Sequence, residues 1–165
     1  MADCCKVPAP SRAASCPMSG TPGRSLSRVT LESLLDQRAR ELVRADQDYF
    51  FCPAPSCAVV YFSGDGEQVF KIDELTVPVW QKSPEDPDVP VCYCFAHTPA
   101  TIRHELQVTG KSMVVASITA KVKEGLCACE RNNPQGSCCL GNVNSVVKTA
   151  KASLEMPGAP VKVRQ

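Results

Sequence analysis

The sequence predicts an α+β fold made of two modules, a small β-sheet with a helix and then a helical module. Two runs rich in β-branched and aromatic residues, 48–51 and 58–62, lie in the first half and are typical of short strands. After residue 90 the apolar residues recur with helical spacing instead. Between these regions, residues 82–90 are charged and contain three prolines, which fit neither a helix nor a central strand. This segment is the predicted module boundary.

The first module is predicted to contain one helix and three antiparallel strands. Thr30 is suited to cap a helix over residues 31–44, because four leucines of that stretch share one face: Leu31, Leu34, Leu35 and Leu42. The two strands follow, and a turn at residues 64–66 leads to a third strand near residues 68–72. The module is expected to end near Trp80.

The second module is predicted to be three helices. Thr98 and Pro99 start the first, which Gly110 ends, and the second covers residues 112–123 before Gly125. The third begins near Gly141 and repeats apolar residues at helical spacing: Val143, Val146, Val147 and Ala150. The predicted organisation is a cysteine-bearing flexible tail, a first module, a linker, a second module and a final tail, at 1–15, 16–81, 82–90, 91–152 and 153–165.

Composition indicates that cysteine chemistry helps to hold this chain together. The 165 residues are 44% hydrophobic but only 5% aromatic, so the core available to them is modest. The 11 cysteines far exceed ordinary usage. The formal net charge of +1 gives no electrostatic footprint for nucleic acid or an anionic membrane, so neither is an expected partner.

The first residues and the cysteine count together favour metal ligation in the cytoplasm. The N-terminus has no apolar stretch of the length that an export signal needs. The most apolar stretch elsewhere, residues 113–120, is far shorter than the roughly 20 residues of a membrane span. We therefore expect a cytoplasmic protein without membrane insertion. In that reducing compartment, and with an odd number of cysteines, metal ligands are expected rather than disulfides.

The first group of cysteines is predicted to bind zinc. Cys52 and Cys57 flank a four-residue gap between two predicted strands, while Cys16, Cys5 and Cys4 precede them in the chain. Two thiolates from a tight turn and two from another segment make the closed tetrahedral set of a structural zinc, which would staple a module with a thin core. The spacing leaves the fourth ligand open. The alternative is that Cys52 and Cys57 are buried small hydrophobes.

The second group contains six cysteines and is predicted to hold a [2Fe–2S] cluster: Cys92, Cys94, Cys127, Cys129, Cys138 and Cys139. Two helices separate the first pair from the others, so the pairs can meet if the helices fold back. Thr98 and Gly141 follow cysteine segments at predicted helix N-termini, where free N–H groups favour an anionic cluster. A second zinc site and redox-active thiols are the alternatives.

Six segments carry a resemblance to the N-terminal region of CopZ-type iron–sulfur copper metallochaperones: Cys16-Pro17 with Gly20, Thr30 opening a helix, 49–52, 57–62, 91–95, and Cys129 to Cys138-Cys139. The resemblance covers nearly all of the chain. It implies a zinc-binding module followed by a helical [2Fe–2S] module similar to the bacterioferritin-associated ferredoxin domain. It also implies a cytoplasmic role in copper handling, with copper ions and a copper chaperone or copper-exporting ATPase as partners.

Carried over to this sequence, the resemblance implies that the cluster ligands are Cys92, Cys94, Cys129 and Cys139. Cys138 is the alternative to Cys139, and Cys127, which has no expected counterpart, is the alternative to Cys129. Cys139 is preferred because Val143 follows it by four residues, as an apolar helix position follows the last ligand in such domains.

For zinc, the implied ligands are Cys16, Cys52 and Cys57, with Cys5 as the fourth and Cys4 as its alternative. Ser19 stands where some relatives have a cysteine, and a hydroxyl is a poorer zinc ligand than a thiolate. Full-length members also carry a copper domain with a Met-x-Cys-x-x-Cys loop. This sequence contains no C-x-x-C, so we expect no copper(I) transfer site of that kind within it.

The function expected from these features is one-electron transfer linked to Cu(II) reduction, or copper chaperoning. Cys127 and Cys138, with Met113 nearby in sequence, are candidate transient ligands of soft Cu(I), although a core role is the simpler expectation for Met113. The alternatives are a ferredoxin-like electron donor or regulator without a copper role, and a zinc-only interaction module. The sequence has no Ser-His-Asp pattern and no glycine-rich phosphate loop, so hydrolase and kinase chemistry have no support.

Overall fold

The computed structural model describes residues 14–156 and contains four strands and six α-helices in that range. The strands are β1 (Arg24–Ser25), β2 (Tyr49–Phe51), β3 (Val59–Ser63) and β4 (Val69–Lys71). The helices are α1 (Arg28–Leu34), α2 (Gln37–Glu41), α3 (Pro99–Thr109), α4 (Val114–Lys123), α5 (Cys129–Asn132) and α6 (Leu140–Glu155). The strands therefore belong to the first half of the chain, and the long helices to the second.

The sheet is antiparallel, with its strands in chain order from β1 to β4. The three predicted strands are confirmed within a residue or two, and β1 is added at the edge, where two residues are too few for a sequence pattern. Phe50 of β2 is paired with Phe62 of β3, and Phe51 with Tyr61. A bulge interrupts the pairing of β3 with β4 between Val59 and Tyr61.

The two faces of the sheet bury different sets of side chains. One face packs against α1 and contains an aromatic cluster with its leucines: Tyr49, Phe51, Tyr61, Phe70, Leu31 and Leu35. The other face contains Phe50, Val59 and Phe62 together with three cysteines. Gly23 lies against this second face, where an added Cβ would stand 2.5 Å from Phe62 Cζ. Alternation along β2 thus gives both faces an apolar lining.

The single helix predicted over residues 31–44 is wrong, because the chain forms two short helices there. Leu35 is extended and makes a bridge with Leu75, which interrupts the helical run. Asp36 then caps α2, its carboxylate accepting a hydrogen bond from Ala39 N at 2.8 Å. Thr30 is not a cap but lies fully buried inside α1, and Leu42 is 61% exposed.

The predicted helices of the second half are confirmed, with α5 as an addition. Thr98 caps α3 by accepting from Thr101 N, Pro99 is its first residue, and Gly110 ends it at φ +70°. These helices enclose a separate core formed by apolar residues of the three long helices and of the cysteine segments: Val91, Ile102, Leu106, Val114, Ile118, Val143 and Ala150. α5 is only one turn long, which is too short for helical spacing of apolar residues to predict it.

The charged, proline-containing segment 82–90 is packed against both halves. Lys82 Nζ donates to Ala54 O at 2.7 Å, Pro87 O accepts from Ala100 N at 2.9 Å, and Val89 is buried. The division of the chain into modules at this segment stays a prediction. The predicted tails fall mostly on residues 1–13 and 157–165, outside the described range. None of the helices between residues 14 and 156 has the length and apolar character that crossing a bilayer requires.

Candidate metal centres

Three cysteines converge behind the sheet and form the first thiol site: Cys16, Cys52 and Cys57. Cys52 follows β2 and Cys57 precedes β3, so the strand pairing brings their ends together, while Cys16 lies on the loop before β1. The three Sγ atoms all lie within 4.8 Å of one another, and Cys16 Sγ is 3.9 Å from Cys57 Sγ. A tetrahedral zinc with bonds of about 2.3 Å places sulfurs ~3.8 Å apart, so the spacing fits zinc.

Ser19 lies beside this group. Its Oγ is 3.5 Å from Cys52 Sγ, and the Cys16–Gly20 turn that carries it is closed by Gly20 N donating to Cys16 O at 2.8 Å. Burial raises the pKa of Cys16, but hydrogen bonds from the Ser19 hydroxyl and from nearby backbone N–H groups outweigh it and lower the pKa to about 7. Burial raises the pKa of Cys57. The thiolate of Cys16 thus forms more readily than that of an ordinary cysteine, which assists metal ligation.

Five cysteines form the second thiol site: Cys92, Cys94, Cys127, Cys129 and Cys139. Cys129 is central, with its Sγ 3.7 Å from Cys94 Sγ and 3.2 Å from Cys127 Sγ. Cys139 completes the group through thiol contacts with Cys129 and Cys92. The donors come from three segments, namely the loop before α3, the region of α5 and the residue preceding α6. The four predicted cluster ligands are therefore brought together, and Cys127 lies among them, within 4.8 Å of the sulfurs of Cys94 and Cys129.

Hydrogen bonding divides the second thiol site into thiolates and thiols. The thiol of Cys129, followed by that of Cys92, lowers the pKa of Cys139 to about 4. The same Cys129 thiol, with Ala128 N–H and the Asn132 amide, lowers the pKa of Cys94 to about 6 against the effect of burial. Correspondingly, the hydrogen bonds to Cys139, together with burial, raise the pKa of both Cys92 and Cys129. The second thiol site thus stabilises negative charge on the sulfurs of Cys94 and Cys139. Negatively charged sulfurs are the form that binds a metal ion or an iron centre.

A tight turn presents Cys92 and Cys94. Cys92 and His97 exchange backbone hydrogen bonds at 3.1 and 3.2 Å, which closes a turn containing Ala96 at φ +56°. This left-handed conformation is uncommon without glycine. The Lys121 ammonium lies 4.6 Å from the centre of the Phe95 ring and covers the turn from α4. The turn is therefore held both by its own backbone and by the neighbouring helix.

The remaining predicted ligands have different positions. Cys4 and Cys5 lie outside the described residues, so the fourth zinc ligand stays a prediction. Cys138 is half-buried and its carbonyl accepts from Gln135 Nε2 at 2.8 Å. Met113 is 62% exposed, so the core role expected for it is wrong. The ligand assignments at both sites remain predictions made from sequence.

Three side chains that sequence reasoning missed support the cysteine segments from outside. Asn132 donates to Cys94 Sγ at 3.7 Å, and Thr30 and Tyr61 donate to the backbone between Cys129 and Cys139. The local sequence is typical of a helix cap at Thr30 and of a strand at Tyr61. Their contacts with the cysteine segment join residues about 70 to 100 positions apart, and local patterns do not report contacts over that range.

A family model, a known protein and a solved structure that match this chain are all of the CopZ type. Residues 13–76 match the family model of the CopZ zinc-binding domain. The copper chaperone CopZ of Archaeoglobus fulgidus is 32% identical over 124 residues, which are 75% of this chain and 57% of that protein. The X-ray structure of the A. fulgidus CopZ N-terminal domain superposes with a TM-score of 0.66 at 30% identity, covering 80% of this chain and 96% of that one.

The similarity is thus concentrated on one part of the relative, since this chain spans little more than half of the length of that copper chaperone. The first thiol site lies inside the matched zinc-binding region, and its three sulfurs have the spacing that zinc requires. The chain therefore belongs with the N-terminal domain of CopZ copper chaperones, and its residues 13–76 are a zinc-binding domain of the CopZ type.

Proposed function

We propose that this chain is a zinc and iron–sulfur protein of copper handling, in which one-electron transfer reduces Cu(II) to Cu(I). Cys16, Cys52 and Cys57, with Cys5 as the fourth donor, hold a structural zinc. Similarity to a protein named as a copper chaperone supports copper as the substrate. The observation that carries the electron-transfer part is the convergence of Cys92, Cys94, Cys129 and Cys139 from three chain segments.

The chemistry of this donor set fits a [2Fe–2S] cluster. Such a cluster is held by four cysteine thiolates, and when bound it supplies single electrons, the number that Cu(II) needs to become Cu(I). Cys92, Cys129 and Cys139 are buried and exclude water from one side. Cys94 is half-buried and lies at the solvent side with Cys127, where an electron acceptor can approach. Ala128 N–H and the Asn132 amide donate to Cys94 Sγ and stabilise negative charge there.

The first test is metal analysis of protein purified without oxygen. Two irons, two labile sulfides and one zinc per chain, with red-brown colour, are expected. Zinc alone, without colour after cluster reconstitution, would contradict the iron–sulfur assignment and leave a zinc interaction module.

The second test mixes reduced protein anaerobically with Cu(II) and follows visible absorption. The expected result is oxidation of one cluster per copper and formation of Cu(I). Because free thiols also reduce Cu(II), the control is the same iron-loaded protein with its cluster already oxidised, which has the same free thiols. A C127S/C138S variant removes two of the three cysteines not assigned as ligands. Equal copper reduction by the protein with the oxidised cluster would contradict the proposal. A cluster that copper does not oxidise would favour the ferredoxin-like alternative.

A further inference from the structure

The segment that supplies two of the proposed cluster ligands, residues 129–139, is held largely by the zinc-binding half of the chain. We name it the ligand loop. α5, its first turn, packs on α1 of the other half. Thr30 Oγ1 donates to Glu130 O at 2.7 Å, and Tyr61 Oη donates to Pro134 O at 2.9 Å in a buried contact. Thr30 belongs to α1, which packs on the sheet, and Tyr61 belongs to β3 of the sheet itself.

The fit between the ligand loop and the zinc-binding half is close enough to require glycine. Gly136 has φ +67°, and a Cβ at this position would stand 2.8 Å from Leu26 Cδ2 and 2.9 Å from Thr30 Oγ1. A larger residue would both strain the backbone and push the loop off α1. The loop thus contacts the first half by backbone and not only through long side chains.

Within the ligand loop, two buried side-chain amides donate hydrogen bonds to the backbone just before Cys139. Gln135 is buried, and its Nε2 donates to Cys138 O at 2.8 Å while its Oε1 accepts from Gln81 Nε2 at 2.6 Å. Asn133, also buried, donates to Ser137 O at 2.9 Å. The backbone on the N-terminal side of Cys139 is therefore fixed through the loop and, at Gln81, by the zinc-binding half.

The first thiol site lies behind the same strands that carry these anchors. Tyr61 is four residues after Cys57 and faces away from the first thiol site, and its strand partner Phe51 is next to Cys52. A metal on Cys16, Cys52 and Cys57 ties together the ends of β2 and β3, and so fixes the strands on which Tyr61 stands. Burial raises the pKa of Tyr61, which keeps its hydroxyl a donor throughout the ordinary pH range.

From these contacts we infer that Thr30, Tyr61 and Gly136 are positioning residues, through which the zinc-loaded half holds Cys129 and Cys139 in place for cluster binding. The inference rests on the proposed function for the identity of the cluster. It makes zinc occupancy at the first thiol site a condition for tight retention of iron at the second.

The test compares Y61F, T30V and G136A with matched controls in the full chain. Y49F and T76V are the controls, because their hydroxyls make hydrogen bonds to Gln68 and Leu34 and not to the ligand loop. Each protein is loaded with zinc and iron, and iron loss to a chelator, zinc content and amide hydrogen exchange are measured.

Y61F and T30V are expected to keep parental zinc, to lose iron about fivefold faster and to exchange residues 129–139 faster, as loss of one hydrogen bond predicts. G136A is expected to change iron loss and exchange in the same direction, because its Cβ would strain the backbone and meet Leu26 and Thr30. The controls are expected to match the parent in all three readouts. Zinc-stripped parent protein is expected to show the same faster exchange in residues 129–139. Parental iron loss and exchange in Y61F and T30V, or equal effects in Y49F and T76V, would overturn the inference.

Hydrogen exchange also separates this inference from the proposed function. If no variant and no parent protein binds iron, the iron–sulfur assignment fails, but exchange in the zinc-loaded proteins still tests the positioning. Faster exchange of the ligand loop in Y61F and T30V than in the controls supports it, and equal exchange overturns it.

Discussion

The first and second thiol sites differ in the number of their donors, in exposure and in the way that their chain segments are tied. The first has three sulfurs, all buried, two of them on the ends of paired strands. The second has five, two of them half-buried, on a turn and a loop between helices. A site built on strand ends keeps its shape through the sheet. A site built on loops depends on contacts from elsewhere, which here include the other half of the molecule.

This difference suggests different chemical roles. A closed, buried site with few donors suits a metal that stays in place and stabilises the fold. A site with a surplus thiol and a half-exposed edge suits ligand exchange and electron transfer at the surface. Four experiments would break or sharpen this contrast, and they follow from the largest expected effect to the smallest.

The substitution C129S is expected to abolish cluster binding and to leave zinc binding intact. Cys129 contacts Cys94 and Cys139, so it is central to the second thiol site. C127S, a matched loss of one thiol two residues away, is expected to keep the cluster. Iron, sulfide and zinc per chain, with visible absorption, check both. A cluster retained in C129S but lost in C127S would reverse the assignment of these two cysteines.

At the first thiol site, C5S is expected to weaken zinc binding by at least tenfold, and C4S to leave it near parental. Adding S19C to C5S is expected to restore zinc retention, since Ser19 Oγ lies 3.5 Å from Cys52 Sγ and a thiolate there can complete the tetrahedron. Competition with a zinc chelator measures each protein. Unchanged zinc affinity in C5S would remove Cys5 from the ligand set.

In reduced, metal-free protein, Cys94 is expected to be the first cysteine to react with iodoacetamide, with a midpoint near pH 6. Hydrogen bonding from Cys129 lowers the pKa of Cys94 to about 6, so its thiolate forms as the pH rises through that value. Cys139 has a lower pKa but is buried from the reagent. C129S removes the main donor and is expected to move the midpoint upward. Mass spectrometry of the alkylated peptides measures the reaction rate of each cysteine. Equal rates for Cys94 at pH 6 and pH 8 would contradict the expected midpoint.

The smallest effect is expected for T98A, which removes the cap of α3 directly after the turn that presents Cys92 and Cys94. Loss of such a cap costs about 1 kcal/mol. Thr98 Oγ1 accepts from Thr101 N at 3.1 Å. A lower denaturant midpoint with parental zinc content is the expected result. A loss of zinc in T98A would show that the two halves are less separable than the positions of the two sites suggest.

Local patterns predicted the parts of the fold that local chemistry decides. The strands at β2 and β3, the cap at Thr98 and the stop at Gly110 each depend on a few adjacent residues. The two groups of cysteines were also predictable, since many cysteines grouped in a short segment are typical of a metal site. The break at Leu35 was not, because the pairing of Leu35 with Leu75 overrides a good helical pattern. The support from Thr30 and Tyr61 was equally hidden, because it exists only once distant segments pack.

The bulge in β3 governs how this strand tolerates changes of length. Val59 faces the first thiol site, whereas Val60 and Tyr61 both face α1, so Val60 is one residue more than strict alternation needs. Deleting Val60 would leave Val59 and Tyr61 on the faces that they already occupy. Deleting Tyr61 would leave no hydroxyl opposite Pro134, and inserting a residue after it would turn Phe62 towards the helix. Val60 is therefore the one position of β3 at which loss of a residue keeps the neighbouring side chains on their faces, although it would also remove a buried side chain and the carbonyl that accepts from Cys52 N at 2.8 Å.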